Sequence, residues 1–465
     1  MPSPAPSDGA SSQPRLFQNP LEKSADTLKT AEPMHGEPRL RHAIRDQLEF
    51  RTLALDQLVP DEHTARIVWQ YVEGIDLEPL LAAVLAVAGR PGRDTTDPKI
   101  LLALWLYATL DGVGSARELD RLCRDHVAYQ WIAGGVSLNY HTLSDFRGDH
   151  GEFLDQLLTR SVATLVHEDL VELKRVAQDG MRVRASAGAS SFRRRGTLEE
   201  CLKEAQEQVE TLRREIEADP AATTRRQQAA RQCAARERSE RVTEAIRQCD
   251  ELDPQRAAAA KRAGRAPTES RASTTDPDAR RMKMADGGFR PAYNAQFATA
   301  TDSQVIVGVE LTNSGNDGGQ MLPMVEQIEA RYGQAPSEML VDGGFATHEN
   351  IEAVSAPERG TVVYAPMKEE KRKRAEGKDP FAPQRGDSVA VASWRQRMGT
   401  EAAKQIYRER GATAECVNAL ARNRGLYSVR VRGLAKVRAL LLWYALAHNL
   451  MRAASLRAAA VEKSA

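Results

Sequence analysis

The apolar residues of this 465-residue chain repeat with two different periods, and where the period changes dictates what the chain can fold into. From Arg51 to about Val171 they recur every three or four residues. Residues 63–72, 77–87, 97–110, 115–125 and 151–166 each read as amphipathic helices between Gly-, Pro- or Asn-containing turns. Asp97-Pro98 offers a cap and a first-turn proline, and Ser115 with Glu118 a capping box. After the loop at 274–280 the period becomes two. Tyr293, Ala295, Phe297 and Thr299 alternate, residues 301–303 turn, and an apolar run follows over 305–311, which predicts a hairpin. A helix over 319–332, a strand over 339–341, a short helix over 348–354 and a strand over 360–364 complete a mixed α/β order.

A second helical stretch interrupts this order. Leu198, Leu202, Ala205, Val209, Leu212 and Ile216 recur at spacings of 4, 3, 4, 3 and 4, a coiled-coil seam. Pro220 ends it, and a second charged helix carries Val242, Ile246 and Cys249. The simplest structure is an inserted helical hairpin, with dimerisation or DNA contact as alternatives to closure on its own partner helix. The expected layout is a disordered lead over 1–50, a helical N-terminal domain over 51–170, and a mixed-sheet domain over 171–196 and 270–455. The coiled-coil insertion covers 197–269 and a tail 456–465.

Within the sheet domain two short apolar runs end in Asp-Gly: Val176 and Ala177 before Asp179-Gly180, and Met339 to Val341 before Asp342-Gly343. Strand-terminal acids of this kind meet at one edge of an open sheet, where α/β proteins place their chemistry, and two adjacent carboxylates call for a shared cation. The plain alternative is a pair of Asp-Gly turns. In the helical domain, the segment from Tyr140 reads as a recognition-type helix presenting Thr142, Ser144 and Arg147, with ordinary helix packing as its alternative.

Composition narrows the class. The longest apolar runs, 100–110 and 439–451, fall short of the roughly 20 residues a membrane span needs. The Pro- and Ser-rich start lacks the apolar core of a signal peptide. Five scattered cysteines without a CxxC pair suggest neither disulfides nor a zinc site and fit a reducing cytoplasm. The net charge is only +1, yet residues 401–465 hold twelve Lys and Arg against four Glu and no Asp. That local excess, with basic clusters at 193–195 and 371–374, is the footprint of a phosphate-binding face or, more plainly, of a solvated helix surface. Trp394 reads as a packing residue or a base-stacking one. His448 falls on the apolar stripe Leu434, Val437, Leu441 and Tyr444 and reads as a core histidine; Asp286, Asp302 and Asp317 read as turn acids.

Several ordered motifs carry a family resemblance. They are Gln178-Asp179-Gly180, Asp276-Pro-Asp-Ala-Arg280, Tyr293-Asn-Ala-Gln296, Val341-Asp342-Gly-Gly344, Tyr407-Arg-Glu-Arg410 with Glu415 and Arg422, the stretch Arg432 to Arg438, and Leu446-Ala-His-Asn449. Together they resemble a bacterial insertion-sequence transposase of the DDE class, from about Arg51 to Arg452. The resemblance implies an RNase-H-like mixed sheet with flanking helices. It implies that Asp179 and Asp342 are the first two catalytic acids, and that the third is the glutamate of a Tyr-Arg-Glu-Lys signature. Glu415 matches, with one extra residue between arginine and glutamate and with Arg422 in place of lysine; Glu409 competes. Gly411 and Thr413 suggest a helix starting there, with Glu415 in its first turn.

The three acids would hold two Mg²⁺ ions, for which Mn²⁺ substitutes, since hard cations take oxygen ligands. Tyr407, Arg410, Arg422 and Arg147 would contact DNA. The implied partners are terminal inverted repeats and target DNA, bound by a homodimer in the synaptic complex. The implied activity is cleavage at the ends and joining of a 3′ hydroxyl to target DNA. A nuclease without strand transfer and a non-catalytic repeat-binding repressor are the rivals.

Overall fold

Side-chain caps start the N-terminal helices where the sequence places them. Asp97 accepts from the Lys99 amide at 2.8 Å, Ser115 from the Glu118 amide, and Asn139 from those of His141 and Thr142. The computed structural model describes residues 52, 54–87, 89, 94–218, 224–368 and 370–464, so the expected 1–50 lead lies outside the described residues. The first seven helices are α1 (Thr64–Glu73), α2 (Glu78–Leu81), α3 (Pro98–Leu110), α4 (Ala116–Asp125), α5 (Val127–Ala133), α6 (Tyr140–Asp149) and α7 (Gly151–His167). The helix expected over 77–87 is shorter than its pattern: it stops at Leu81, and Leu85, 88 % exposed, finds no surface to cover. Helix α5 has too few residues to display a period, and its pattern gives no warning of it.

The sheet follows. Strand β1 (Arg175–Arg184) leads through β2 (Phe192–Arg193) into α8 (Arg195–Ala218) and α9 (Arg225–Arg262), returning by β3 (Ala272–Ser273). Then come β4 (Arg280–Lys283), β5 (Phe289–Ala300), β6 (Ile306–Thr312), α10 (Met321–Tyr332), β7 (Glu338–Leu340), α11 (His348–Val354) and β8 (Val362–Tyr364). The order β4-β5-β1-β7-β8 has β6 also paired with β5. Strand β4 takes the first residues of β5 and β6 the remainder; β5 runs antiparallel to β1, whereas β7 and β8 run parallel to it. This is the RNase-H-like mixed sheet the motifs imply.

The insertion closes on itself. Leu198 of α8 packs with Val242, Ala245 and Cys249 of α9 over a two-stranded base in which Phe192 pairs with Ser273. Its seam is therefore spent inside one hairpin.

Helices α12 (Glu370–Ala375), α13 (Val389–Met398), α14 (Glu401–Arg410), α15 (Cys416–Asn423) and α16 (Leu434–Ser464) complete the chain. Helix α16 packs on α3, α6 and α7 and, across it, on β6. It is buried all round over residues 439–447 for that reason, and it runs on through residues 456–464. Among the described residues no helix is long and apolar enough to cross a membrane. Trp394 is a packing residue whose indole donates to the Ala365 carbonyl at 3.2 Å. His448 is a core residue, its Nε2 2.9 Å from the Gln304 carbonyl.

Candidate active site

Asp179 is not strand-terminal, as its Asp-Gly pair suggests, but sits in the middle of β1. Gly180 is there for close approach, not for a turn. A Cβ on it would stand 2.8 Å from Asp317 Oδ1, 3.0 Å from Asn294 Oδ1 and in collision with the Gln296 amide. On this face of the sheet Asp317 accepts from Asn294 Nδ2 at 2.6 Å, Gln296 Nε2 at 2.9 Å and Arg182 Nη2 at 3.1 Å. Gln178 Nε2 extends the network to Gln296 at 3.1 Å. Asp317, read as a turn acid, is the acceptor that gathers the polar side chains of β1 and β5.

Asp179 faces the other way, onto the helices. Its Oδ1 accepts from Arg410 Nη2 at 3.0 Å and its Oδ2 from Asn418 Nδ2 at 2.9 Å. Burial pushes its carboxyl above the ordinary value, against the opposing pull of Arg410, Asn418 and the Gly180 amide, and the Asp342 charge pushes the same way as burial. Asp342 is adjacent because of strand register. Strands β1 and β7 pair Val176 with Met339 and Ala177 with Leu340, Asp179 and Asp342 each follow two residues after that last pair, and the Asp342 charge is near enough to act on Asp179. One oxygen of Asp342 accepts from the Gly344 amide, so it is a turn residue, the plain alternative for its Asp-Gly pair.

Glu415 arrives from a helix that does not start where the sequence suggests. Gly411 is helical, and α14 continues through a π-helical turn, Gly411–Glu415, into α15. A π turn is an α-helix holding one extra residue, so it absorbs the extra residue between Arg410 and Glu415 and keeps both on the side facing β1. Arg410 Nη1 donates to Glu415 Oε1 at 2.7 Å. One guanidinium thus spans Asp179 and Glu415, whose nearest oxygens stand no more than about 8 Å apart. Arg410 is deeply buried; burial depresses its basicity, but Asp179, Tyr407, Glu415 and Asp342 outweigh that and raise it. Tyr407 shares the pocket: burial raises its phenol, Arg410 lowers it, and Asp342 and Glu415 raise it again.

Glu409, the competing acid, turns away. Both its oxygens take Arg175 Nη1, at 2.6 and 2.8 Å, on the part of β1 that also holds Glu338. Arg422 is exposed on α15, seven residues beyond Glu415. Arg147 is not presented outward from α6: its guanidinium lies 4.5 Å over the Trp105 ring and donates to the Gly114 carbonyl at 2.7 Å. Thr142 is half-buried and Ser144 exposed on the same helix.

Pattern reasoning passes over Asn418. It is 1 % exposed, holds Asp179, and leaves its own Oδ1 buried without a partner. Its signal was there to be read: a polar residue three positions after Glu415, on the same helix face, between the buried Val417 and Ala421. The Asp276–Arg280 motif has a structural task. Asp276 accepts from Tyr293 Oη at 2.7 Å and the Gly433 amide at 3.2 Å, and Asp278 from the Leu434 amide at 3.0 Å, fixing the start of α16.

The donor set around Arg410 is all carboxylate, which suits a hard divalent cation, and the arginine shows that the pocket already gathers positive charge. Among the described residues no group of three or more His, Cys, Asp or Glu is arranged to hold a metal. A family model described as a transposase DDE domain matches residues 266–450, and one described as a transposase domain (DUF772) matches residues 53–149. No curated protein and no solved structure matches the chain.

Proposed function

The chain belongs to the DDE-class transposases of bacterial insertion sequences, and from that membership we propose that it cleaves DNA at the ends of its insertion sequence and joins the freed 3′ hydroxyl to target DNA. Asp179, Asp342 and Glu415 are the acids of this reaction. What supports the reading is that Arg410 bonds both Asp179 and Glu415 and that Asp342 is near enough for its charge to act on Asp179 and on Arg410.

Transposases of this family use divalent metal ions. Here the three carboxylates would hold two Mg²⁺, with Mn²⁺ as substitute, supplying charge to offset what builds on the attacking and leaving oxygens. The chain's own groups prepare that site. Asn418 fixes the orientation of Asp179. Arg410 gives up its carboxylates and turns its planar fork to a DNA phosphate, for which bidentate geometry suits it. Tyr407 supports it from within the pocket, and Arg422 reaches the adjoining backbone. Two chains acting on the two ends of one element, in the cytoplasm, complete the proposal.

A plasmid bearing the DNA that flanks the gene tests this. Wild type should cut at the ends and yield joined products with Mg²⁺ or Mn²⁺ and none with EDTA, and Asp179→Ala should keep binding and lose all cutting. Cutting without joining would reduce the protein to a nuclease; wild-type binding with no cutting would make it a repeat-binding repressor.

A further inference from the structure

A cleft of about 200 Å³ opens where the α3–α4 turn meets the chain beyond α15, and its polar lining is cationic. Arg147, Arg424 and Arg430 converge on it, and among the described residues no aspartate or glutamate lines it. Two of the three have guanidinium nitrogens sealed from solvent and unpartnered: Nε of Arg147 and Nη1 of Arg424. Arg430 lies close enough to Arg147 to lower its pKa, after burial, to about 10, so Arg147 stays charged at neutral pH. The Arg430 charge acts on Glu118, whose oxygens bond Arg121. Among the described residues none of the three arginines forms an ion pair, so charge gathered at the cleft is left for an anion to offset.

The cleft is built by close backbone approach. Gly112 and Gly425 both have positive φ, of 75° and 84°, and a Cβ on Gly425 would stand 3.3 Å from the Gly112 carbonyl. The cleft is also tied to the acids. Arg184, the last residue of β1, bonds the Tyr427 carbonyl and the Val429 amide at 2.9 Å each, five residues and about 17 Å along the strand from Asp179. Arg424 lies nine residues, roughly 14 Å of helix, beyond Glu415.

We propose that this cleft seats one backbone phosphate of DNA, on a strand that reaches the catalytic acids roughly five nucleotides away. The choice of DNA over a free anion rests on the transposase reading; the anion site itself does not. Tyr427, exposed at the mouth, is placed against the adjoining sugar or base.

The test uses the full chain as wild type, Arg430→Gln, and Arg424→Gln with Arg430→Gln. Arg147 is left alone because it braces Trp105 and Gly114. Binding of a fluorescein-labelled 30-base-pair duplex carrying one flanking end is followed by anisotropy across a salt series. The double variant is expected to bind about tenfold more weakly, with the slope of log K against log salt reduced by about one, and the exposed Arg430→Gln to move both in the same direction. In a second arm, inorganic phosphate at matched ionic strength should raise the melting temperature of wild type more than that of either variant. Unchanged affinity and slope in folded Arg430→Gln and double variant overturn the proposal while leaving the transposase reading intact. A phosphate response lost in the variants with DNA binding unchanged also overturns it, leaving a free-anion site. Wild type that fails to bind the duplex while responding to phosphate overturns the DNA assignment together with the transposase reading it rests on.

Discussion

Replacing Gly180 with alanine isolates one physical claim: that this glycine exists for close packing. Its φ is not among the positive values, so alanine can adopt the backbone, and a glycine kept only for freedom would be improved by the change by about 0.4–1 kcal/mol. The packing says otherwise. The new methyl would stand 2.8 Å from Asp317 Oδ1 and 3.0 Å from Asn294 Oδ1, where ordinary contact begins near 3.4 Å. The Asp317 oxygen is held by Asn294, Gln296 and Arg182, and the Asn294 side chain by its own bond to Asp317. Overpacking of about 1–3 kcal/mol and the partial loss of a charge-assisted bond together give a destabilisation of about 2–4 kcal/mol. Urea unfolding followed by tryptophan fluorescence reads it as a lower midpoint at unchanged slope. Cleavage should fall as well, because the displaced strand carries Asp179. A variant as stable as wild type, or more so, would refute the argument and return Gly180 to the role of a permissive turn residue.

Glu415→Gln and Asp342→Asn should abolish cleavage and spare DNA binding by gel shift, whereas Glu409→Gln should keep cleavage and cost at most about 1 kcal/mol, its pair with Arg175 being partly exposed. Asn418→Leu removes a donor that favours ionised Asp179, so the carboxyl, already raised, rises further. The acid limb of the pH–rate profile then moves to higher pH, and a limb that stays in place rules out Asn418 as the group positioning Asp179. His448 has its pKa lowered from 6.5 to about 4 by burial, so the unfolded chain binds the proton first. Stability contributed above the unfolded value is lost as pH falls from about 6.5 to 4, by about 3 kcal/mol in all. Denaturation of His448→Gln across that range should show a correspondingly flatter dependence.

Much of the fold was legible because it rests on local periodicity. The hairpin, the helices at 319–332 and 348–354 and the coiled-coil seam are each written in consecutive residues. What escaped was set by distant partners. Asp179-Gly180 looks the same whether the glycine turns the chain or admits a neighbour, and the neighbours that decide it, Asn294, Gln296 and Asp317, lie over a hundred residues on. Arg147 belongs to a helix whose start was readable, but its direction depends on Trp105 and Gly114 of other elements. The proposed acids come from ordered motifs. That Glu409 turns to Arg175 while Glu415 turns to Arg410 is fixed by the turn between them, for which no local rule exists.

That turn makes the segment from Tyr407 to Asn423 a buffer of chain length. In a regular helix an added residue would swing everything after it by about 100°, carrying Glu415, Asn418 and Arg424 off their targets together. Widened by one residue at 411–415, the helix keeps its later part in phase. What is held constant here is angular position, not the residue count between arginine and glutamate. A pattern search with rigid gaps would therefore pass over chains in which such a turn keeps the later residues in phase.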